Sequence, residues 1–182
     1  MSSIGRNELC SCGSNKKYKK CCGNNATIVT KSYHKIGNVI EIKKFDDPIL
    51  KTICKPLNKN EDISFIHDMV STLRSEITGV GLAAPQIGID KRVILVRQTI
   101  MINPEITYRS NKNIMSIEYC LSYPNIMVNI ERSSIIKVQY FDENWISRTE
   151  QYTGLDSRII QHEIDHLDGN CAVGIEWFNN KK

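Results

Sequence analysis

The chemistry of this chain is concentrated near its C-terminus, in the run Gln161-His162-Glu163-Ile164-Asp165-His166-Leu167-Asp168-Gly169. Residues four apart share one face of a helix, so His162 and His166 can address one metal ion. Glu163 stands beside the first histidine, placed to take a proton from a metal-bound water. Two imidazoles do not complete a tetrahedral catalytic site, which takes a third protein ligand and keeps one position open. His34 lies isolated in a polar stretch and His67 off the apolar stripe of its helix, so neither is expected to serve. Cys120, a lone thiol between short strands, is the natural candidate; it also suits a small buried hydrophobe.

A second cluster lies at the other end. Cys10, Cys12, Cys21 and Cys22 form two close pairs separated by eight residues. Four thiolates so arranged can close a structural Zn²⁺ site, and a segment this short would draw its folding free energy from the metal. The alternative is four unconnected thiols in a tail.

The elements that must position these groups follow from periodicity. Ile63, Ile66, Met69, Val70, Leu73 and Ile77 recur at spacings of three and four, which predicts a helix over 61–77 with His67 facing solvent. Gly154-Leu155-Asp156 opens the last helix, with Asp156 and Ser157 suited to its positive end, and Leu167 and Gly169 close it. Strands are expected at 38–44, 92–97, 100–103, 126–131, 134–141 and 145–152, with Asp142-Glu143-Asn144 as a turn. A bend is expected at Asn103-Pro104-Glu105 and a polar loop over 107–113. Cys171, Val173, Ile175 and Trp177 alternate as a short final strand. Gly79 to Gly88, rich in glycine and alanine, is no phosphate loop, because no Lys-Ser/Thr follows it.

Length and charge bound the rest. A chain of 182 residues holds one ordinary domain with a small appendage. Five basic side chains and one acidic one fall in residues 1–25, while the remainder carries 19 of each. The basicity therefore belongs to the N-terminal segment, where lysines suit a phosphate backbone or a docking partner. No run reaches the ~18 apolar residues of a membrane span, and no signal core opens the sequence, so a cytoplasmic protein is expected. Seven cysteines in that setting favour metal or catalytic roles over disulfides.

Three segments, in order, resemble the signature motifs of peptide deformylases. Gly79–Gln86 matches the first, Gln161–Gly169 matches the third, and Glu118–Ser122 resembles the second with Tyr119 where the family has Gly. The similarity extends over about residues 45–177. Residues 5–23 are in turn similar to the SEC-C-type zinc knuckle, including Arg6-Asn7 before the first Cys and the Lys-rich run before Cys21.

These resemblances imply an α+β fold with antiparallel and mixed sheets around a central HExxH helix, plus a zinc knuckle. They divide the chain into a knuckle (1–25), a linker (26–37) and a minimal catalytic domain (38–182) lacking the C-terminal helix of many members. They imply a hydrolase that removes the formyl group from N-formyl-methionyl nascent peptides and releases formate. Cys120, His162 and His166 would hold Fe²⁺, or Zn²⁺, Ni²⁺ or Co²⁺ in its place, and Glu163 would move the proton. The Gln86 amide and the Leu121 backbone N–H would meet the oxyanion. Gly79 and Gly81 would place backbone beside the substrate, Tyr119 would flank the cleft, and Leu155 and Ile159 would line a methionine pocket. Glu118 and Arg132 would pair behind Cys120, with Asp165 as an orienting partner. Cys10, Cys12, Cys21 and Cys22 would hold Zn²⁺ and dock the ribosome or another protein. Two rivals stay open: a deformylase-fold adaptor with impaired turnover, favoured by Tyr119, and a metalloprotease using Glu176 downstream of the helix.

Overall fold

The computed structural model describes residues 37–179, together with Lys17. By its internal contacts the chain divides into Met1–Ile36 and Gly37–Lys182. The four knuckle cysteines and nearly all of the expected linker therefore lie outside the described residues.

The second unit is built on a five-stranded antiparallel sheet. Its strands are β1 (Gly81–Ala83), β2 (Val93–Val96), β3 (Thr99–Arg109), β6 (Ile135–Phe141) and β7 (Ser147–Thr153), each pairing antiparallel with the next. The hairpin of β4 (Asn113–Cys120) and β5 (Tyr123–Ser133) forms a separate two-stranded sheet. Among the described residues three α-helices accompany the sheets: α1 (Phe65–Ser75), α2 (Gly154–Leu167) and α3 (Ala172–Asn179).

The core follows from two periods meeting. Along β6 the side chains of Ile136, Val138 and Tyr140 are buried while Lys137, Gln139 and Phe141 point outward. Against that face lies the apolar side of α2, where Ile160, Ile164 and Leu167 recur at helical spacing. Ile94, Val96 and Met101 from β2 and β3 fill the same cluster. Cys54 packs there too, as a small hydrophobe, and burial pushes its thiol up to about 11. With one face of α2 spent on the core, its His162–Glu163–His166 face is left for chemistry.

Several boundaries differ from the sequence expectation. Residues 38–44 form no strand; the Ile40 N–H donates to Thr72 Oγ1 and the Lys43 N–H to Gln86 O, so β-branched residues lie extended without a ladder. Helix α1 is shorter than 61–77, and Ile77 is wholly exposed, because Glu76 already leaves the helix at ψ 113°. His67 is half-buried rather than solvent-facing. At Asn103 (φ +51°) strand β3 does not end; its pairing with β6 shifts register between Ile102 and Glu105 and continues to Arg109. The bend is thus a bulge within a strand, and the loop over 107–113 shrinks to a tight connection. The expected strand at 171–177 is helix α3 instead. Too few residues separate the two periods there. Tertiary packing decides: a Cβ on Gly174 would meet Tyr123 Oη at 2.4 Å, so α3 seats its glycine on that ring. No helix of the described residues is long and apolar enough to cross a membrane.

Candidate metal centre

Helix α2 carries His162 and His166 one turn apart, with ring centroids 5.2 Å apart. Strand β4 ends at Cys120, whose Sγ lies 3.1 Å from His166 Nε2. Alternation along β4 explains the delivery: Glu118 and Cys120 point inward, and Tyr119 between them is 66% exposed. The donor atoms of Cys120, His162, His166 and Cys171 all lie within 4.8 Å of one another, and all four residues are buried. Two imidazoles with sulfur suit a borderline divalent ion. The surroundings fit one as well, since Glu163 Oε2, on the residue after His162, is buried without a hydrogen-bond partner. The structure thus brings together all three sequence-predicted ligands and adds a fourth donor, Cys171, where alternation in the sequence predicts a strand.

His162 is aimed by Glu118, whose Oε2 lies 3.0 Å from its Nδ1, leaving Nε2 for the centre. Glu118 is also clamped by Arg132, through Nε to Oε1 and Nη2 to Oε2, both at 3.0 Å. Arg158 Nη1 donates to Glu118 Oε1 at 2.6 Å and to Ile130 O at 2.9 Å. Burial alone would raise the Glu118 carboxyl, but the hydrogen bonds from His162 and Arg132 outweigh it and hold it at about 2. Arg132 Nη1 reaches Asp165 Oδ2 at 2.6 Å, and Asp165 is not among the four clustered donors. Arg132 is therefore a buried hub rather than a surface strand residue.

Other side chains fasten the helix. The Gln161 amide donates to Ser133 O at 3.0 Å, and its oxygen accepts from Arg109 Nη1 at 2.7 Å, tying α2 to β5 and β3. Ser157 does not cap the helix; its hydroxyl donates to Ser133 O at 2.9 Å. Asp156 pairs with Arg97 at 2.7 Å.

Glu163 projects from the same face of α2 and is buried, which pushes its carboxyl up against the pull of His162 and His166. Strand β1 passes so close that a Cβ on Gly81 would lie 2.4 Å from Glu163 Oε1 and 2.8 Å from Ile159 Cγ2. Gly81 thus makes room for the carboxylate, which the sequence does not reveal. Gly81→Ala should push Glu163 aside and lower kcat/KM by up to about 100-fold, the scale of a 1 Å misplacement. Unchanged kinetics with native circular dichroism would remove that role.

Gln86 sits in the 3-10 turn Ala84–Ile87 that follows β1. Its Oε1 accepts from the Ala83 N–H at 2.8 Å, which turns its Nε2 toward Ser122 Oγ (3.2 Å) and Cys120 Sγ (3.8 Å). The Leu121 carbonyl accepts from Lys44 Nζ at 3.2 Å. Beside these groups opens a cavity of ≈ 640 Å³, the size of a small-ligand site. Gln86, Cys120, Leu121, His162 and Glu163 line it. So do Gly79, Gly81, Tyr119, Leu155 and Ile159, so every residue expected to touch substrate borders one space. Tyr119 is a rim residue there. Sequence reasoning missed Arg158, Ser122 and Cys171. For Cys171 the available signal was a thiol two residues past the helix-closing Gly169.

Residues 39–175 match the polypeptide deformylase family, and residues 6–24 match the SEC-C motif. The peptide deformylase of Karelsulcia muelleri is 35% identical over 145 residues, covering 74% of this chain and 77% of that protein. The crystal structure of peptide deformylase from Thermotoga maritima superposes with a TM-score of 0.71 at 36% identity, covering 75% of this chain and 97% of that one. A Met-Ala-Ser-bound class I type b peptide deformylase from Acinetobacter baumannii gives a TM-score of 0.68 at 33% identity, covering 74% and 96%.

Proposed function

The chain belongs to the polypeptide deformylase family, and we propose on that ground how its residues divide the work of removing a formyl group from a peptide's N-terminus. It is a hydrolase of this class. One observation carries the division of roles: the thiol, two imidazoles and a buried carboxylate converge beside one cavity.

Cys120, His162 and His166 would hold the divalent ion, Fe²⁺ or in its place Zn²⁺, Ni²⁺ or Co²⁺. When bound, such an ion acidifies a coordinated water and polarises the formyl oxygen. Glu163 takes the proton of the attacking water and returns it to the departing amine; burial that raises its carboxyl brings it nearer the pH at which both transfers are efficient. Gln86, fixed by the Ala83 N–H, turns its amide toward the oxygen on which charge develops, and the Leu121 backbone N–H joins it. Leu155 and Ile159 receive the methionine side chain, and Gly79, Gly81 and Tyr119 border the peptide. Formate and a free amino terminus leave. The Met-Ala-Ser peptide in the relative from Acinetobacter baumannii supports this choice of substrate.

Residues 1–25 would form a zinc knuckle on Cys10, Cys12, Cys21 and Cys22, residues 26–37 a linker and residues 38–182 the catalytic domain. The knuckle's lysines would dock the ribosome, where formylated chains emerge in the cytoplasm. Deleting residues 1–25 should then reduce co-sedimentation with ribosomes, and unchanged binding would remove the idea.

The central test is direct. The Fe²⁺- or Ni²⁺-loaded chain, given formyl-Met-Ala-Ser, should release formate, and chelation should abolish release until metal is restored. Formate no greater than that from a Glu163→Ala control would sink the assignment.

A further inference from the structure

We propose that Cys171 is a fourth protein ligand of this centre, a second thiolate beside Cys120, His162 and His166. The proposal rests on the metal-site reading above and adds a donor to it.

The geometry carries the argument. Two metal–sulfur bonds of ~2.3 Å at a tetrahedral angle put the sulfurs ~3.8 Å apart, and sulfur–nitrogen edges come to ~3.5 Å. The Cys120 and Cys171 sulfurs lie 4.0 Å apart, and Cys120 Sγ is 3.1 Å from His166 Nε2. Two of the six donor–donor edges are thus close to those of one coordination polyhedron, and all four donors lie within 4.8 Å of one another. They arrive from three places: the end of β4, one face of α2, and the link between α2 and α3.

That link is held. After α2 the Gly169 N–H donates to His166 O (3.2 Å) and the Asn170 N–H to Asp165 O (2.9 Å), which turns the chain back beside His166. Beyond Cys171, α3 is anchored by buried Val173 and by Gly174 against Tyr123. Packing with Tyr123, Val128 and Ile130 accounts for a buried thiol at this point. It does not account for a sulfur at coordination distance from a second sulfur with two imidazoles on the same spot. Two sulfurs and two nitrogens form a closed set of the structural type and favour thiophilic ions. For the coordinated water of the proposed reaction to bind, such a centre has to widen its coordination or release Cys171.

Cobalt(II) alone is a suitable probe, in the full chain with Cys10, Cys12, Cys21 and Cys22 replaced by Ser so that no second thiolate cluster contributes. X-ray absorption of the loaded protein should count two sulfur neighbours at ~2.3 Å per cobalt. In Cys171→Ser, with native circular dichroism and one cobalt bound per chain, the near-ultraviolet thiolate-to-cobalt absorption should fall to about half. One sulfur with nitrogen neighbours, or absorption unchanged in Cys171→Ser, overturns the fourth ligand and leaves the three-ligand site standing. Cobalt binding that survives His162→Ala and Cys120→Ala unchanged overturns the metal-site reading itself.

Discussion

Glu163→Gln lowers formate release by about 10²- to 10⁴-fold, the range of a positioned general acid–base group. The substitution keeps the volume and removes only the ability to accept and return a proton. Geometry makes the test clean. Glu163 lies under β1, with Gly81 leaving just enough space for its carboxylate, so an amide of the same size fits. Its side chain is not among the four donors at the centre, so bound metal measured per chain should stay constant. Glu163→Asp keeps the acid but draws it back along the helix, and should recover part of the rate. Activity within tenfold of the parent in Glu163→Gln, at equal metal content, would show that another group carries the proton.

Glu118→Gln has the second large effect, on stability and metal retention together. The carboxylate of Glu118 serves two arginines and an imidazole, and its side chain is only 5% exposed. Neutralising it keeps one amide oxygen as acceptor but leaves Asp165 as the carboxylate on Arg132 and Arg158 with backbone carbonyls besides. Removing one partner of a buried pair commonly costs about 3–5 kcal/mol, because the remaining charge is stranded. Loss of the partner that orients a ligand histidine weakens metal binding by about 10- to 100-fold. Urea denaturation and competition with a metal indicator measure the two losses separately. A stability change under about 1 kcal/mol would mean that the arginines find other partners, and the hub would lose its role.

The same cluster carries a pH signature. The Glu118 carboxyl is lowered from 4.5 to about 2, so the folded state favours its ionised form. Its stabilisation is complete above the ordinary carboxylate range and is lost as the pH falls from 4.5 toward 2.

What the sequence determined by itself is local. His162 and His166 share a face because a helix repeats every 3.6 residues, and nothing distant alters that. The apolar residues Ile160, Ile164 and Leu167 fix which face turns to the core, and therefore which face is free. Cys120 and Glu118 emerge together because a strand alternates. The order of the three motifs supplied the family. Tertiary structure decided what depends on elements far apart in the chain. Gly81 clears Glu163 only because β1 runs beside α2, and Arg158 reaches Glu118 across 40 positions of sequence. Cys171 read as strand because seven residues cannot separate a period of two from one of 3.6. Its place beside the histidines is set by the turn after α2 and by the seating of α3 on Tyr123. Those are packing events, which hydrophobic periodicity does not encode.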